Sequence, residues 1–183
     1  MPFIPRLKSL GFSGIAYNMI HIIPISWIDM KEVISEIEIQ APAGRVWQVL
    51  TDFESYPEWN PFIRRISGHP KEGMRLKVYI EPPGAKSRVF RPKVIKAELE
   101  HELRWLGRRL IPGLFDGDHI FTIQHIGSER VRFVQQEIFS GVLVSSLTHD
   151  MEMKIRLGFE QMNQALKARA EQACLFNPKS TIY

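Results

Sequence analysis

A histidine and a glutamate on a predicted hairpin are the side chains whose types and spacing best suit chemistry. Two runs of alternating apolar residues, 118–126 and 130–139, flank Gly127-Ser-Glu129, which is typical of antiparallel strands joined by a tight turn. In the register that this turn predicts, His119 lies directly opposite Glu137. Opposed residues have Cβ atoms about 4.5–5.5 Å apart, so the imidazole and the carboxyl group can hydrogen bond. A one-residue slip would place them on opposite faces.

The face that holds this pair is predicted to point inward. The register pairs Ile126 with Arg130 at the turn and puts Phe121, Phe133 and Phe139 beside the pair, and such apolar side chains belong in a core. An inward histidine and glutamate form either a satisfied buried pair or a general acid and base at the wall of a cavity. We favour the structural interpretation and keep the catalytic one open.

Other catalytic and metal-binding motifs are absent from the sequence. It contains no phosphate-binding glycine loop, no His-Glu-x-x-His, no Gly-x-Ser-x-Gly and no Cys-x-x-Cys. The single cysteine, Cys174, can form neither an internal disulfide nor a four-cysteine zinc site, which favours a reducing, cytoplasmic location. The histidines are scattered along the chain, so we expect no metal site and no cofactor; they lie at positions 21, 69, 101, 119, 125 and 149.

The elements that must position the pair fit into one globular domain. The chain has 183 residues, of which 44% are hydrophobic and 24% charged, which excludes disorder, a membrane bundle and a multidomain protein. The net charge of +4 is uneven, because the segment 64–109 holds 13 Lys and Arg against 5 Asp and Glu. Such a segment suits nucleic acid, an anionic membrane or the solvent face of a sheet. We favour the solvent face, since the cations alternate with apolar residues.

The first thirty residues are predicted to stand outside the fold. Residues 12–28 include 11 apolar residues of 17, but the segment is too short to span a membrane and lacks the end of a signal peptide. It is a membrane-associating arm, an apolar extension lying on the domain, or an artefactual extension before a true start at Met30. The predicted organisation is therefore an extension over 1–30, a domain over 31–173 and a tail over 174–183.

The order of predicted elements indicates an α+β fold. A strand over 33–41 precedes two short helices, and six strand runs follow, including 89–99, before a long amphipathic helix over about 145–173. Short connections require antiparallel pairing, so about seven strands form one curved sheet around the last helix. Gly158 inside that helix predicts a close approach to a neighbouring backbone.

Two motifs resemble a known superfamily. They are Ile37-Glu-Ile-Gln-Ala-Pro-Ala-Gly-Arg-Val-Trp-Gln-Val-Leu-Thr-Asp-Phe53 and Tyr56-Pro-Glu-Trp-Asn-Pro-Phe-Ile63. With the terminal helix they are similar to the START-like helix-grip superfamily, also named SRPBCC, in its polyketide cyclase/dehydrase and lipid-transport branch. The resemblance covers about residues 34–170 and implies a deep cavity between the concave sheet and the long helix. It also suggests that Asp116-Gly117 forms a turn at the cavity rim.

The side chains expected to line this cavity are aromatic or flexible and apolar. The alternative is that they fill a solid core. In strand 103–110 we assign Trp105, and not Arg104, to the interior. The complete candidate set is Trp59, Phe62, Trp105, Phe115, Phe121, Phe133, Phe139, Met151, Ile155, Phe159 and Met162.

Three functions are compatible with these residues. The leading one is binding or transport of a hydrophobic small molecule of lipid, sterol or polyketide type. The second is a cyclase or dehydratase that uses His119 and Glu137 for proton transfer. The third is weak membrane association through the N-terminal arm and the basic sheet face. Nucleic acid is not an expected partner, because the aromatic residues are assigned to the interior, and no oligomeric state is predicted.

Overall fold

A computed structural model describes residues 30–108 and 111–175 of the chain, with side chains up to residue 172. The apolar segment 12–28 and the tail beyond residue 175 lie outside the described residues. The strands are β1 (Met30–Ile39), β2 (Ile63–Ser67), β3 (Lys77–Ile80), β4 (Arg88–Phe90), β5 (Lys93–Glu98), β6 (Glu102–Arg108), β7 (Asp116–Gly127) and β8 (Arg130–Ser140). The helices are α1 (Ala43–Thr51), α2 (Tyr56–Trp59) and α3 (His149–Leu175).

The strands form two antiparallel sheets. The larger has the order β1-β8-β7-β6-β5, and the smaller has the order β2-β3-β4. This arrangement with a long terminal helix confirms the predicted α+β helix-grip fold, with eight strands in two sheets where about seven strands in one sheet were predicted. The predicted run 89–99 divides at Pro92, because proline has no N–H to donate to a strand ladder. The residues before Pro92 join the small sheet as β4, and those after it join the large sheet as β5.

Local hydrogen bonds fix the backbone of the two N-terminal motifs. The Pro42 carbonyl accepts from the N–H groups of Arg45 and Val46, which starts α1 directly after the first strand. The buried side chain of Asn60 then accepts from the N–H groups of Phe62 and Ile63, at 3.0 and 2.8 Å. The Asn60 side chain therefore pairs two buried backbone donors where α2 ends and β2 starts, while its own Nδ2 has no partner among the described residues.

Tyr56, the first residue of the second motif, is fully buried, and its hydroxyl donates to the Leu50 carbonyl at 2.6 Å. Burial raises the pKa of this phenol far above its ordinary range. Tyr56→Phe should lower the free energy of unfolding by about 1 kcal/mol, because the Leu50 carbonyl loses a buried donor. Urea denaturation of the full chain measures this change. Tyr79→Phe, at a partly exposed tyrosine, is the matched control, and equal losses in both variants would contradict the prediction.

Helix α3 presents one buried face to the large sheet. Phe159, Met162, Leu166 and Ala170 are fully buried on this face. The helix begins at His149, later than predicted, because residues Val144–Ser146 form a separate 3-10 turn. The exposed edge of β1 is covered by α3 side chains, since Arg156 donates to the Ile34 carbonyl and Lys167 to the Glu38 carbonyl. The helix is thereby fixed along the sheet edge.

Gly158 lies on α3 where the ring of Phe62 meets the helix. A Cβ atom at this position would be 2.2 Å from Cδ2 and 2.5 Å from Cε2 of that ring. The predicted close approach is therefore present, but its partner is an aromatic side chain, so the prediction of a neighbouring backbone is wrong.

Candidate functional site

The β7–β8 hairpin has the predicted register along its length. His119 pairs with Glu137, Phe121 with Gln135 and Ile123 with Phe133. The prediction is wrong only at the turn, where Gly127 instead of Ile126 pairs with Arg130. A bulge between His125 and Gly127 absorbs the extra residue. The face that carries His119 and Glu137 points toward α3, as predicted.

His119 and Glu137 are close but are not hydrogen bonded. Nδ1 of His119 lies 3.8 Å from Oε2 of Glu137, beyond the usual range of a hydrogen bond. The His119 side chain is 2% exposed and that of Glu137 is 18% exposed. A Cβ atom at Gly117 would be 2.9 Å from Oε1 of Glu137, so glycine at this position makes room for the carboxyl group. Glu137 is therefore the member of the pair that lies nearer to solvent.

Both members of the pair are neutral in neutral solution. Burial lowers the pKa of His119 to about 3, because the imidazolium form loses its hydration. Burial and then the negative charge of Asp118 raise the pKa of Glu137 to about 8. A neutral imidazole therefore faces a largely protonated carboxyl group, and this pair is not an ion pair at neutral pH.

Gln135 completes the polar group inside the sheet, and sequence analysis did not assign it to the site. It is fully buried, and its Nε2 lies 3.0 Å from Nε2 of His119 and 3.6 Å from Sδ of Met162. With the amide donating, Nε2 of His119 accepts, so the ring proton lies on Nδ1, toward Glu137. Oε1 of Gln135 has no hydrogen-bond partner among the described residues. The hairpin register contained the signal, because it places Gln135 opposite Phe121.

Aromatic rings surround this polar group. The His119 ring stacks on Phe121 at a centroid distance of 4.4 Å and contacts Phe159 at 5.1 Å and Trp105 at 5.4 Å. The Phe62 ring reaches the same cluster through Phe159, at 5.5 Å. The candidate lining residues that the structure brings together around His119 are Phe62, Trp105, Phe121, Phe133, Phe159 and Met162.

The remaining candidate lining residues lie elsewhere. Phe115 contacts Phe139 at a centroid distance of 5.7 Å, at the end of the sheet that holds Gly117. Trp59 packs on the Tyr56 ring at 4.9 Å and donates to Ser55 Oγ, which ties it to α2. Met151 and Ile155 are half-buried in the first turns of α3.

The deep cavity that the resemblance implies is filled in this conformation. The aromatic rings, Gln135 and Met162 are in contact across the space between the sheet and α3. Two surface depressions border α3, one lined by Met153, Arg156 and Leu157 and the other by Pro61, Gln161 and Gln164. A ligand must therefore displace side chains in order to enter the interior.

Two glycines form the inner wall of the sheet beside Glu137. Gly107 of β6 pairs directly with Gly117 of β7, one row beyond Trp105 and His119 on the same face. A Cβ atom at Gly107 would meet only ordinary contacts, 3.7 Å from the Gly117 carbonyl oxygen and 3.9 Å from Pro92. The Glu137 carboxyl group occupies the space at Gly117, so Gly107 is the position where a side chain could be added without a clash at Cβ. We call this part of the wall, formed by Gly107, Gly117 and the partly exposed Glu137, the mouth.

The outer side of the same strands is polar. Arg104 binds Asp118 through two hydrogen bonds from Nε and a third from Nη2, while Trp105 is buried, as predicted. The predicted turn at Asp116-Gly117 is wrong, because both residues belong to β7. Asp116 instead accepts from the Gly113 N–H at 3.2 Å, which closes the preceding turn.

The described ranges, 30–108 and 111–175, lack both a metal-binding cluster and a membrane-spanning helix. No group of three His, Cys, Asp or Glu side chains comes together there as a metal site. None of the helices in these ranges is both long and apolar enough to cross a membrane.

Solved structures with similar folds include enzymes. The Zhui aromatase/cyclase from Streptomyces sp. R1128 has a TM-score of 0.62 at 16% identity, covering 80% of this chain and 96% of that one. A START superfamily protein from Mycobacterium smegmatis has a TM-score of 0.62 at 21% identity, covering 78% and 98%. Norcoclaurine synthase from Thalictrum flavum, in complex with dopamine and hydroxybenzaldehyde, has a TM-score of 0.60 at 14% identity, covering 94% and 99%. At these identities the likeness shows the fold alone.

The comparison of sequences identifies the family. No curated protein matches the chain significantly. The profile of the family described as "Polyketide cyclase / dehydrase and lipid transport" matches residues 30–171, which is most of the chain and nearly all of its described part. This match agrees with the fold and confirms the resemblance of the two N-terminal motifs. The chain therefore belongs to the polyketide cyclase/dehydrase and lipid transport family.

Proposed function

We propose that the protein binds an apolar small molecule of lipid, sterol or polyketide type between the large sheet and α3. The observation that carries the proposal is the neutral polar group of His119, Gln135 and Glu137 inside an aromatic shell. Ligand sites for such molecules are mostly apolar with a few placed polar groups. The family description, which covers cyclases and lipid transport, supports a ligand-binding or cyclase role.

The mouth is the proposed route of entry. Glu137 lies there with part of its side chain exposed, and its protonated carboxyl group can donate a hydrogen bond to a ligand oxygen. Deeper in, Met162 can change rotamer to make space, because its side chain is unbranched and flexible. Gln135 Oε1 offers an acceptor to a ligand hydroxyl group. An apolar ligand with one or two oxygen atoms suits this arrangement.

Proton transfer is a second candidate function, and the protonation state of Glu137 favours it. A general acid works best when its pKa is near the working pH, and that of Glu137 is about 8. In such a step Glu137 would give its proton to a ligand carbonyl oxygen and become a carboxylate. The Nδ1–H of His119, 3.8 Å away, would then stabilise the carboxylate. The neutral His119 is a poor base, so Glu137 is the acid in this candidate mechanism.

Filling the mouth tests the binding proposal. We expect Gly107→Val to lower ligand retention about tenfold, because the new side chain narrows the mouth beside Glu137, and a steric cost of about 1.4 kcal/mol in binding corresponds to a tenfold loss of affinity. The fold should tolerate valine there, since its Cβ makes ordinary contacts and β-branched residues suit strands. The purified full chain is incubated with cell extract, washed and denatured, and the released compounds are identified by mass spectrometry. Failure of the wild type to retain any compound would refute the proposal.

The same experiment separates binding from catalysis. Glu137→Gln keeps a neutral hydrogen-bond donor of nearly the same shape but cannot give up a proton, so retention should persist. If the wild type releases a chemically changed compound and Glu137→Gln releases it unchanged, the protein is an enzyme. Glu102→Gln is the matched control, because its side chain has a similar exposure of 21% but lies on the outer face, paired with Lys96.

A further inference from the structure

The small sheet has an outward face whose side chains are mostly cationic. Arg65 of β2, Tyr79 of β3 and Val89 of β4 lie directly opposite one another on this face. Lys77 lies on it two residues before Tyr79, and Arg91 follows β4. The opposite face of the sheet carries Ile66 and Val78, which are buried. We call the outward set of Arg65, Lys77, Tyr79, Val89 and Arg91 the basic face.

We propose that the basic face docks on an anionic lipid bilayer. This inference is independent of the ligand proposal, because it concerns a different surface and needs no bound molecule. Its basis is that the cations of the basic face have no carboxylate partners among the described residues, and that the apolar side chain of Val89 is exposed among them.

The missing partners distinguish this face from the large sheet. On the large sheet Lys96 binds Glu102, and Arg104 binds Asp118. Within the described part of the chain, none of Arg65, Lys77 and Arg91 has a carboxylate within 4.0 Å. Arg75, Arg88 and Lys93 nearby are likewise outside any such pair there. The positive charge is therefore concentrated and available to an anionic partner.

The cations converge on one point of the surface. Lys77 Nζ lies 4.9 Å from the centroid of the Tyr79 ring. A hydrogen bond from Lys77 lowers the pKa of Tyr79, and the charges of Lys77, Arg65 and Arg91 act in the same direction. Three cations thus lie near the Tyr79 ring on one face of the small sheet.

Exposed apolar side chains favour a bilayer over nucleic acid. Val89 lies on the basic face and is 45% exposed. Phe90 lies on the opposite face of the edge strand β4 and is 42% exposed. Nucleic acid pairs with cations but offers little to aliphatic side chains, whereas a bilayer interface accepts both the cations and the apolar groups.

Vesicle sedimentation of the full chain tests the proposal. We expect binding to vesicles of phosphatidylcholine with phosphatidylserine and none to phosphatidylcholine alone, and binding should weaken from about 0.1 M to about 0.5 M salt. The triple variant Arg65→Gln, Lys77→Gln, Arg91→Gln should bind roughly a hundredfold more weakly, at about fivefold for each cation. Val89→Ser should weaken binding further at high salt, where apolar insertion dominates.

The control removes the same charge elsewhere. Arg130→Gln, Arg132→Gln and Lys154→Gln change cations of the β7–β8 hairpin and α3, and this variant should bind as the wild type does. Equal binding by both triple variants would overturn the proposal, because the basic face would then make no contribution. Tighter binding of the wild type to duplex DNA than to the anionic vesicles, lost in the basic-face variant, would also overturn it.

Discussion

Gly158→Ala is expected to lower the free energy of unfolding by about 2 kcal/mol. The new Cβ would lie 2.2 Å from Cδ2 of the Phe62 ring, and both the ring and the helix backbone are buried. Overpacking of a core usually costs about 1–3 kcal/mol, and at this distance we expect the upper part of that range. The higher helix propensity of alanine returns up to about 1 kcal/mol. Urea denaturation monitored by circular dichroism measures the net change.

A double-mutant cycle tests whether contact with the Phe62 ring causes the loss of stability in Gly158→Ala. Phe62→Leu removes most of the clashing ring atoms, so it should cost less in the Gly158→Ala background than in the wild type, with a coupling energy of about 1 kcal/mol. Gly44→Ala in α1 is the matched control, because its Cβ would meet only the flexible carboxylate of Glu100. Its stability should change by less than about 0.5 kcal/mol. Additive losses in the cycle would show that Phe62 does not press on the helix.

The stability of the protein should be greatest between about pH 4.5 and 6.5, as far as His119 and Glu137 determine it. The ordinary pKa of Glu137 is 4.5 and its folded pKa is about 8. Between these values the unfolded chain has lost a proton that the folded protein keeps, so stability falls as the pH rises. The ordinary pKa of His119 is 6.5 and its folded pKa is about 3. Between these values the unfolded chain gains a proton that the folded protein lacks, so stability falls as the pH falls.

The two effects oppose each other between pH 4.5 and 6.5 and act alone outside that window. Above and below this window the free energy of unfolding falls by at most about 1.4 kcal/mol per pH unit, the value for the binding or release of one proton. Glu137→Gln should therefore flatten the fall in stability between pH 6.5 and 8, and His119→Gln the fall between pH 4.5 and 3.

Urea denaturation at each pH, compared between wild type and variant, gives these difference curves. Glu102→Gln on the outer face is the control, since it removes a carboxyl group without changing the buried pair. Identical pH profiles for the wild type and Glu137→Gln would show that the carboxyl group ionises normally in the folded protein. In that case the argument for a neutral acid at the mouth would fail as well.

Side chains fill the space between the large sheet and α3 in which the family resemblance predicted a deep cavity. The rings of Phe121 and Phe159 lie against His119, so the conformation described is a closed one. Ligand binding must then be coupled to movement of side chains, of which Met162 is the most flexible. The mouth is the place where least must move, because Gly107 has no side chain there and the Glu137 side chain is already partly exposed.

The sequence predicted the hairpin geometry because strand pairing follows a strict rule. The numbers of two opposed residues have the same sum all along an antiparallel pair of strands. The sequence alone therefore predicts that His119 lies opposite Glu137. The sequence did not predict the bulge at Ile126, because the backbone conformation near a turn depends on local twist and not on the alternation of apolar residues. The two motifs also identified the family, because their residues form local hydrogen bonds that recur with the fold.

The sequence by itself therefore determined the family, the α+β order of elements and the inward face of the hairpin. Only the tertiary structure decided that His119 and Glu137 are neutral, because their pKa values depend on burial by α3 and the aromatic rings, which are distant in sequence. It also decided that Gln135 joins them and that Gly158 faces the Phe62 ring. Periodicity tells which side of an element is buried, but contacts between elements depend on how those sides pack together in three dimensions.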